Sequence, residues 1–600
     1  MNVMKPIMND TIPRGGDWVY ETKYDGFRCL LKWEKDSIRL ISKNGTDLTA
    51  TFPEIPSACQ TEQSLIGARL PLTLDGELAI LNNAHQSNFS LLQQRGRMTN
   101  TDRIAAAASE RPVSFMAFDV LLEAGESLLE EPLQQRKQRL RKLFNDKSQL
   151  GQRLYAVPFS SDADAAWENA FRYKGEGVVA KRQTSVYKQG KDHRDWFKIK
   201  NWRTVTAFLT FYHTQNDYFT ACVFHDGKPV DIGKCKHGLD ESASDTLRQL
   251  FVTNGTKEID GYRLPPAVCA SIHTLDLVSD EIREPSFSQL LPDMDAADCT
   301  VEKLNLDMAM LPETVEATNT AKVFWPSVGV TKGDMLAYMR EVTPYMLPFL
   351  QDRMLTIIRC PDGVDGESFF QKHRPDGAPD FVKGVEHDGD MHFVCNNLES
   401  LVWLANHGTM EYHIPFQPSD RTQPVEIVFD LDPPGREAFH LAVKAAKLLK
   451  QLLDNLDLIS FVKTSGGKGL QVHIPIPPGT MSYADTGIFT QAIAWTLERE
   501  YPKAFTTERM KEKRGNRLYI DYLQHGEGKT IVAPYSPRKR KDATVAAPLF
   551  WEEVNDDLSP DMFTVANVID RVQTNGCPFA PYFTTKQQQP IDKIINMTRE

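Results

Sequence analysis

The sequence lacks several features that would assign it to a specialised class of protein. Its nine cysteines are scattered and form no C-x-x-C pair, so neither a zinc site nor a disulfide framework is predicted. No apolar run approaches the ~18 residues that cross a bilayer, and no charged-then-apolar leader opens the chain. A net charge of −11 argues against a protein that coats DNA nonspecifically. We therefore expect a globular, cytoplasmic protein with no membrane partner.

Length and local patterns predict several domains. The chain has 600 residues, and at ~100–200 residues per domain this predicts three or four. Strand patterns alternate with turns in residues 1–202, which also contain an amphipathic helix at 132–144 and read as an α+β unit. The pattern of residues 203–293 predicts a small β-barrel, and the acidic stretch 294–318 predicts a linker. Residues 319–600 predict a further domain, in which Thr331 and Asp334 cap a helix.

The first motif with chemical content is ETKYDGFR at 21–28. A lysine whose surroundings remove its proton can act as a nucleophile, so Lys23 is a candidate. The K-x-D-G tetrad alone assigns nothing, because roughly one random chain of this length in seven would contain it. Further motifs follow it in order: SKNG (42–45), LDGELAIL (74–81), FMAFDVL (115–121), GEGVVAKR (175–182) and WFKIK (196–200).

In this order, the motifs resemble those of the nucleotidyltransferase domain of ATP-dependent DNA ligases. The resemblance implies an ATP-grasp-like catalytic domain followed by an OB-fold domain, with a covalent lysyl-AMP on Lys23. It implies that Glu21 accepts from the adenine amino group, Phe118 stacks on the base and Arg28 contacts the ribose side. The other implied nucleotide or metal ligands are Lys43, Glu77, Glu176, Lys181, Lys198 and Lys200.

These implied ligands have different roles. Glu77 and Glu176 would bind ribose or a divalent metal, and the lysines at 181, 198 and 200 would surround the α-phosphate. The segment IREPSFSQLLPDM (282–294) resembles the last ligase motif only at Arg283 and Pro285, and the later basic residues are missing. We therefore expect self-adenylylation to be weak.

A second group of motifs lies beyond residue 420. In PVEIVFDLDPPG, strand alternation puts Asp430 and Asp432 on one face, and Asp521 in RLYIDYL adds a third acid. Three acids on sheet strands suit a pair of Mg²⁺ or Mn²⁺ ions that clamp a phosphoryl transfer. Between them, the glycine turn of KTSGGKGLQVHIP could hold phosphate oxygens with its amides, although a plain hairpin would explain it too.

The order of these motifs, ending in APYSPRKR, resembles the archaeo-eukaryotic primase-type polymerase domain of bacterial DNA ligase D, the nonhomologous end-joining enzyme. The resemblance implies that the three aspartates are metal ligands. The implied triphosphate contacts are Ser465, Lys468 and Arg538, together with Gln471, which stands where the family has histidine. His473 lies on the same face as Gln471, but we do not expect it to substitute.

The same resemblance implies a DNA-binding surface. Lys322 and Lys332 would grip the downstream 5′ phosphate. Phe369 and Phe370 would stack on template bases, although the sequence equally allows both phenylalanines to be core residues.

Together, the motifs predict a multidomain α+β enzyme of the ligase-then-polymerase form, with no phosphoesterase domain before Lys23. It would repair double-strand breaks at the nucleoid, using ATP, Mg²⁺ or Mn²⁺, and nucleoside triphosphates. By resemblance, its partners are DNA ends with a 5′ phosphate and the Ku homodimer, and its polymerase favours ribonucleotides.

Two alternatives remain open at this point. One is an RNA capping enzyme or RNA ligase joined to a primase, which GTP labelling of Lys23 would favour in its capping form. The other is a non-catalytic scaffold that bridges DNA ends, suggested by Gln471 and by the missing basic residues after Arg283.

Overall fold

The computed structural model describes residues 3–278 and 280–599, which fall into two units. The first consists mainly of residues up to Met308, and the second mainly of Ala309–Val572 and the residues from Cys577 on. The division lies inside the predicted linker; the finer boundaries at 202 and 293 stay predictions. Within the described ranges, no helix is long and apolar enough to cross a membrane.

The amino-terminal two thirds of the first unit contain two sheets. The strands are β1 (Ile7–Met8), β2 (Trp18–Thr22), β3 (Phe27–Trp33), β4 (Ile38–Ser42), β5 (Leu72–Ala79), β6 (Ser114–Glu123), β7 (Glu126–Ser127), β8 (Gln149–Leu150), β9 (Leu154–Ala156), β10 (Phe159–Ser160), β11 (Gly177–Arg182) and β12 (Trp196–Lys200). The helices are α1 (Glu54–Ile66), α2 (Phe89–Gly96), α3 (Thr101–Glu110), α4 (Leu133–Leu143) and α5 (Ala163–Arg172).

The two sheets have the orders β1-β12-β11-β2-β10 and β4-β3-β5-β6-β9-β8, with β7 paired to β6. Alternate apolar residues of the longer strands, such as Leu31 and Trp33 on β3 and Leu74 on β5, pack in one core beneath the larger sheet. Helix α4 packs on β6 and confirms the predicted amphipathic helix.

The remainder of the first unit is an antiparallel β domain. Its strands are β13 (Arg203–His213), β14 (Tyr218–His225), β15 (Lys228–Cys235), β16 (Thr256–Glu258), β17 (Gly261–Thr274), β18 (Leu277–Val278), β19 (Glu281–Ile282) and β20 (Ser286–Leu290), with helices α6 (Glu241–Asn254) and α7 (Val301–Ala309). The main sheet has the order β15-β14-β13-β17-β16, and β20 pairs with β17.

Part of the predicted linker is ordered. Residues 296–298 form a 3₁₀ turn and α7 follows at once. Cys299, Leu304 and Met308 are buried in the core of the β domain. The sequence suggested a plain linker because the apolar residues here are few and widely spaced, yet they pack against an existing core.

The second unit is built on two larger sheets with helices. Its strands are β21 (Val323–Trp325), β22 (Val330–Thr331), β23 (Thr356–Arg359), β24 (Phe369–Gln371), β25 (Gly384–His387), β26 (Asp390–Phe393), β27 (Thr409–Pro415), β28 (Glu426–Asp432), β29 (Phe461–Thr464), β30 (Leu470–Pro475), β31 (Phe505–Thr506), β32 (Leu518–Asp521), β33 (Thr530–Val532) and β34 (Pro548–Leu549). The helices are α8 (Lys332–Leu350), α9 (Leu398–Asn406), α10 (Phe439–Asn455), α11 (Tyr483–Glu500), α12 (Lys511–Arg514), α13 (Val568–Asn575), α14 (Tyr582–Thr585) and α15 (Ile591–Arg599).

The central sheet of the second unit has the order β31-β32-β28-β30-β29-β34, and the other has the order β24-β23-β27-β33. Helices α10 and α11 pack against β28. Helix α8 begins with the predicted cap, because the hydroxyl of Thr331 accepts from the amide of Asp334 and the carboxylate of Asp334 accepts from the amide of Thr331.

Candidate active sites

The segment that carries Lys23 connects β2 to β3, which belong to different sheets of the first unit. The amide of Lys23 donates to the carbonyl of Gly177 at 2.9 Å. A Cβ on Gly26 would lie 2.2 Å from the carbonyl oxygen of Leu78, so only glycine fits there. The K-x-D-G tetrad therefore holds Lys23 at the junction of the two sheets.

A cavity of about 400 Å³ opens beside Lys23, within the size range of ligand pockets. Eight of the predicted nucleotide-binding residues line it: Glu21, Lys23, Arg28, Lys43, Glu77, Phe118, Lys181 and Lys198. These residues come from six separate motifs, so the fold brings the motifs to one place. Their individual roles stay predictions.

One part of the cavity is built around Glu21. Its carboxylate accepts from Lys181 at 2.7 Å and pairs with Lys137 of α4. The Lys181 ammonium lies 4.3 Å from the ring centroid of Phe118 and 4.2 Å from that of Trp196. Burial lowers the pKa of Lys181 to about 8. Lys181 thus lies beside Glu21 and Phe118, and its contact with the α-phosphate, implied by the resemblance, stays a prediction.

Arg28 is held by Asp75, which is itself held by Tyr187, and the sequence analysis missed both of these residues. Its guanidinium donates to both carboxylate oxygens of Asp75, at 2.9 and 2.6 Å. Asp75 is fully buried and also accepts from the hydroxyl of Tyr187 at 2.6 Å. The available signal was strand alternation, which puts Asp75 and Glu77 on one face of β5.

Lys23 forms an ion pair with Glu176. Burial alone would lower the pKa of Lys23, but the charges of Glu176, Asp25 and Glu77 raise it above its usual value. Burial also raises the pKa of Glu77 to about 8, against the charges of Arg28 and Lys23. Lys23 is therefore held protonated at neutral pH, and a cation that engaged these carboxylates would weaken that hold.

The segment that resembles the last ligase motif also contacts this site. Arg283 donates to both carboxylate oxygens of Asp25. Glu284, which has a φ of +52°, pairs with Lys200. Lys200 is therefore bound to a carboxylate that an incoming phosphate would have to displace.

The three predicted metal-binding aspartates of the second unit lie on adjacent strands. Asp430 and Asp432 share one face of β28, and Asp521 at the end of β32 is directly opposite Asp430. Gln471 of β30 is opposite Asp430 on the other side. The strand register thus brings together three acids from two distant segments.

The charges of these aspartates suit a divalent cation. Burial, with the charges of Asp432 and Asp521, raises the pKa of Asp430 to about 7, and burial raises that of Asp521. Asp432 contacts Lys468 at 3.0 Å and Arg514 at 3.5 Å. Within the described ranges, no group of three histidine, cysteine, aspartate or glutamate side chains is already arranged around one metal position. The oxygen donors fit Mg²⁺ or Mn²⁺, and Asp432 would have to turn away from its cationic partners.

The glycine turn between β29 and β30 lies beside these acids. The hydroxyl of Ser465 accepts from the amides of Gly467 and Gly469 at 3.2 and 3.1 Å. Gly466 has a φ of +64°, and a Cβ there would lie 2.8 Å from a neighbouring backbone carbon. Arg538 donates to the carbonyl of Ser465 at 2.7 Å. Ser465 and Arg538, which are both predicted to bind the triphosphate, are thus joined by a hydrogen bond at this turn.

Glu411 and His413 of β27 are further residues that the sequence analysis missed. Their side chains are joined by a hydrogen bond of 2.9 Å, and Glu411 lies 3.2 Å from Nε of Arg538. Burial would raise the pKa of Glu411, but His413, Arg538 and the amide of Lys539 lower it to about 2. Glu411 is therefore ionised and orients Arg538. The E-x-H alternation on an apolar strand was the available signal.

Gln471 contacts one of the three aspartates directly. Its Nε2 donates to Oδ1 of Asp430 at 3.1 Å. His473 is buried, with Nδ1 3.0 Å from a carboxylate oxygen of Glu426, which also pairs with Arg353 at 2.6 Å. His473 thus belongs to a buried network with Glu426 and Arg353.

The predicted 5′ phosphate lysines share a second cavity, of about 510 Å³. Lys332 donates to the carbonyl of Thr318 at 2.6 Å. Lys322 donates to the carbonyl of Pro361 at 2.9 Å and pairs with Asp362. The cavity is also lined by Asn319, Arg359, Trp403 and His407.

Phe369 and Phe370 lie on β24, an edge strand. Phe369 is 43% exposed and Phe370 is 74% exposed. The core interpretation that the sequence left open is therefore wrong for both. Their stacking on template bases stays a prediction.

The cavity around Lys23 in one unit, and the three aspartates beside a glycine turn in the other, have the geometry expected of an enzyme that transfers nucleotidyl groups at two centres. The model of the ATP dependent DNA ligase domain matches residues 3–200, and that of the LigD primase-polymerase domain matches residues 331–579.

Comparison with known proteins identifies relatives along the whole chain. It is 38% identical to the bifunctional non-homologous end joining protein LigD of Bacillus subtilis strain 168, covering 100% of this chain and 99% of that protein. It is 25% identical to the multifunctional LigD of Pseudomonas aeruginosa, covering 96% and 72%. The polymerase domain of Mycobacterium tuberculosis ligase D, solved in complex with DNA, matches with 29% identity and a TM-score of 0.41, covering 46% and 99%.

The chain belongs to the LigD family of non-homologous end joining proteins. It is an enzyme that combines an ATP-dependent DNA ligase with a primase-polymerase. The predicted family, fold class and enzyme class are confirmed.

Proposed function

We propose that this enzyme fills gaps at broken DNA ends with its second unit and seals the strands with its first. The observation that carries the proposal is the cavity in which the predicted nucleotide-binding residues surround Lys23. Because the substrate would be chromosomal ends with a 5′ phosphate, the enzyme would act at the nucleoid in the cytoplasm. The Ku homodimer, implied by the family, would bring it to those ends.

Sealing begins at Lys23. Its Nζ, once deprotonated, attacks the α-phosphorus of ATP, a P–N bond forms, and the bond to the bridging oxygen breaks to release pyrophosphate. Phe118 and Glu21 hold the adenine, and Lys198 offsets the charge that develops on the phosphate. An oxygen of the DNA 5′ phosphate then attacks the phosphorus of the bound AMP, and the P–N bond breaks to free Lys23. A 3′ hydroxyl next attacks the DNA 5′ phosphate, which joins the strand and releases AMP.

Gap filling takes place in the second unit. Ser465, Lys468 and Arg538 hold the triphosphate while a primer 3′ hydroxyl attacks its α-phosphorus in line. A new P–O bond forms, the bond from the α-phosphorus to the bridging oxygen breaks to release pyrophosphate, and the hydroxyl proton passes to solvent. Lys322 and Lys332 anchor the downstream 5′ phosphate. Phe369 and Phe370 stack on the template strand.

Acidic residues in both units have the oxygen donors that divalent cations prefer. Glu77 and Glu176 would hold one near Lys23, and Asp430, Asp432 and Asp521 would hold others. Mg²⁺ or Mn²⁺, when bound, supplies charge neutralisation for the reacting phosphates.

The first test is the intact mass of the full chain after exposure to ATP and Mg²⁺. We expect the wild type to gain one AMP and Lys23→Ala to gain none. Lys32→Ala, at an exposed lysine of β3, is the matched control and should still be labelled. Labelling of Lys23→Ala would refute the assignment, and GTP labelling in place of ATP would favour the capping alternative.

The second test addresses the polymerase and the scaffold alternative. Asp430→Ala with Asp432→Ala should abolish metal-dependent nucleotide addition to gapped DNA. If Lys23→Ala left the joining of ends intact, the first unit would be a scaffold. Joining with and without purified Ku homodimer tests the proposed partner.

A further inference from the structure

Lys463 is a buried cation that the mechanism above does not use. It lies on β29 with no exposed surface. Its ammonium donates to the amide oxygen of Gln471 at 2.5 Å and lies 3.5 Å from the carbonyl of Thr464. Within the described ranges, these are its hydrogen bonds, and both acceptors are neutral. Burying an ammonium without a carboxylate partner costs stability, so its position calls for an explanation.

The register between neighbouring strands supplies an explanation for the position of Lys463. Lys463 of β29 is directly opposite Gln471 of β30, Gln471 is opposite Asp430 of β28, and Asp430 is opposite Asp521 of β32. These four side chains form a row across four adjacent strands of one sheet. We call them the lateral row. Lys463 is its only cation and stands at the end away from Asp521.

Hydrogen-bond chemistry fixes the direction of the row. An ammonium can only donate, so the amide oxygen of Gln471 must face Lys463. The amide nitrogen then faces Asp430, to which it donates at 3.1 Å. Without Lys463, the amide could turn its oxygen toward Asp430, and two acceptors would face each other.

We propose that Lys463 is a positioning residue for nucleotide addition, which locks the Gln471 amide so that its N–H groups hold Asp430 in the orientation needed to bind a divalent cation. The proposal rests on the proposed polymerase function of the second unit. It explains why a lysine stands in a place where an apolar side chain would be less costly to bury.

Burial, with the charge of Arg538, lowers the pKa of Lys463 to about 7. The charges of Asp430 and Glu426 act in the opposite direction. The lock itself does not depend on the charge, because a neutral amine also carries N–H groups.

The test uses Lys463→Met, which has a similar length and no donor, in the full-length chain. Nucleotide addition is measured on gapped DNA with a 5′ phosphate while Mn²⁺ is varied. We expect the Mn²⁺ concentration for half-maximal rate to rise about fivefold, because one hydrogen bond is worth about 1 kcal/mol. Lys447→Met, at an exposed lysine of α10, is the matched control and should behave as the wild type.

Two further readouts separate positioning from a merely structural role. The melting temperature of Lys463→Met should change by no more than a few degrees, because the relief of burying a cation offsets the loss of a donor to the buried amide oxygen of Gln471. In a Gln471→Ala background, Lys463→Met should cause no further change in the Mn²⁺ requirement, because the lock is already lost.

The outcomes distinguish this inference from the proposed function. If the wild type adds no nucleotide with any metal, the polymerase proposal fails. If the wild type is active and Lys463→Met has an unchanged Mn²⁺ requirement, or if the two substitutions act additively, the positioning role is overturned while the polymerase assignment stands.

Discussion

Asp430→Asn should stabilise the second unit while it abolishes nucleotide addition. Burial and the neighbouring aspartates raise the pKa of Asp430 from 3.8 to about 7. A difference of about three pKa units, at ~1.36 kcal/mol each, sets an upper limit of about 4 kcal/mol on the stability that ionised Asp430 costs. At ~2 °C per kcal/mol for a unit of this size, the gain in melting temperature is several degrees.

The sign of this effect sets its pH dependence. A carboxyl whose folded-state pKa is raised destabilises the fold progressively as pH rises from the unfolded value of 3.8, and the loss is complete above the folded value of about 7. The advantage of Asp430→Asn should therefore be small near pH 4, grow through pH 5 and 6, and level off above about pH 7.

Thermal unfolding in EDTA from pH 5 to pH 8 measures this advantage directly. Mn²⁺ should raise the melting temperature of the wild type at pH 8 and have a much smaller effect on Asp430→Asn, because a ligand has been lost. Asp420→Asn, at an exposed aspartate of the same unit, is the control and should show neither effect. A lower melting temperature for Asp430→Asn at pH 8 in EDTA would refute the reasoning.

Three further predictions follow from the contacts. Asp75→Asn should destabilise the first unit by ~3–5 kcal/mol and impair AMP labelling, because it leaves the Arg28 guanidinium buried without its partner. Unchanged melting, measured by calorimetry, together with unchanged AMP labelling would contradict this prediction. Lys322→Ala with Lys332→Ala should weaken binding to gapped DNA with a 5′ phosphate at least ~10-fold relative to a 5′ hydroxyl, because two charge-assisted hydrogen bonds are lost; equal losses on both DNAs, measured by fluorescence anisotropy, would count against the pocket. Phe370→Ala should change the free energy of unfolding by less than ~0.5 kcal/mol but weaken template binding by ~1–3 kcal/mol, and unchanged affinity for a template overhang would rule out stacking.

Part of each site was predictable from the sequence because it depends on local pattern. Strand alternation alone puts Asp430 and Asp432 on one face, and the structure confirms it. The cap at Thr331 was likewise readable from neighbouring residues. Through their resemblance, the ligase motifs indicated eight of the residues that line the cavity around Lys23, whereas Glu176 and Lys200 are not among its lining residues.

The partners of these residues were not predictable in the same way. Asp75 binds Arg28 because β3 and β5 are adjacent, and Lys181 reaches Glu21 because β11 and β2 are adjacent. The sequence around each strand does not indicate which other strand will lie next to it. The packing of residues after 295 against the β domain was missed for the same reason, because the apolar residues of this segment pack against residues that are distant in the chain.

The sequence by itself determined the two catalytic centres, their order and the residue types that can carry nucleotide chemistry. Only the tertiary structure decided how those residues are held. Glu21 lies between two lysines, Glu411 lies beside Arg538, and the lateral row begins at Lys463. The physical reason is that the alternation of side chains is a property of one strand, whereas the partner that each side chain meets depends on the register between strands far apart in the chain.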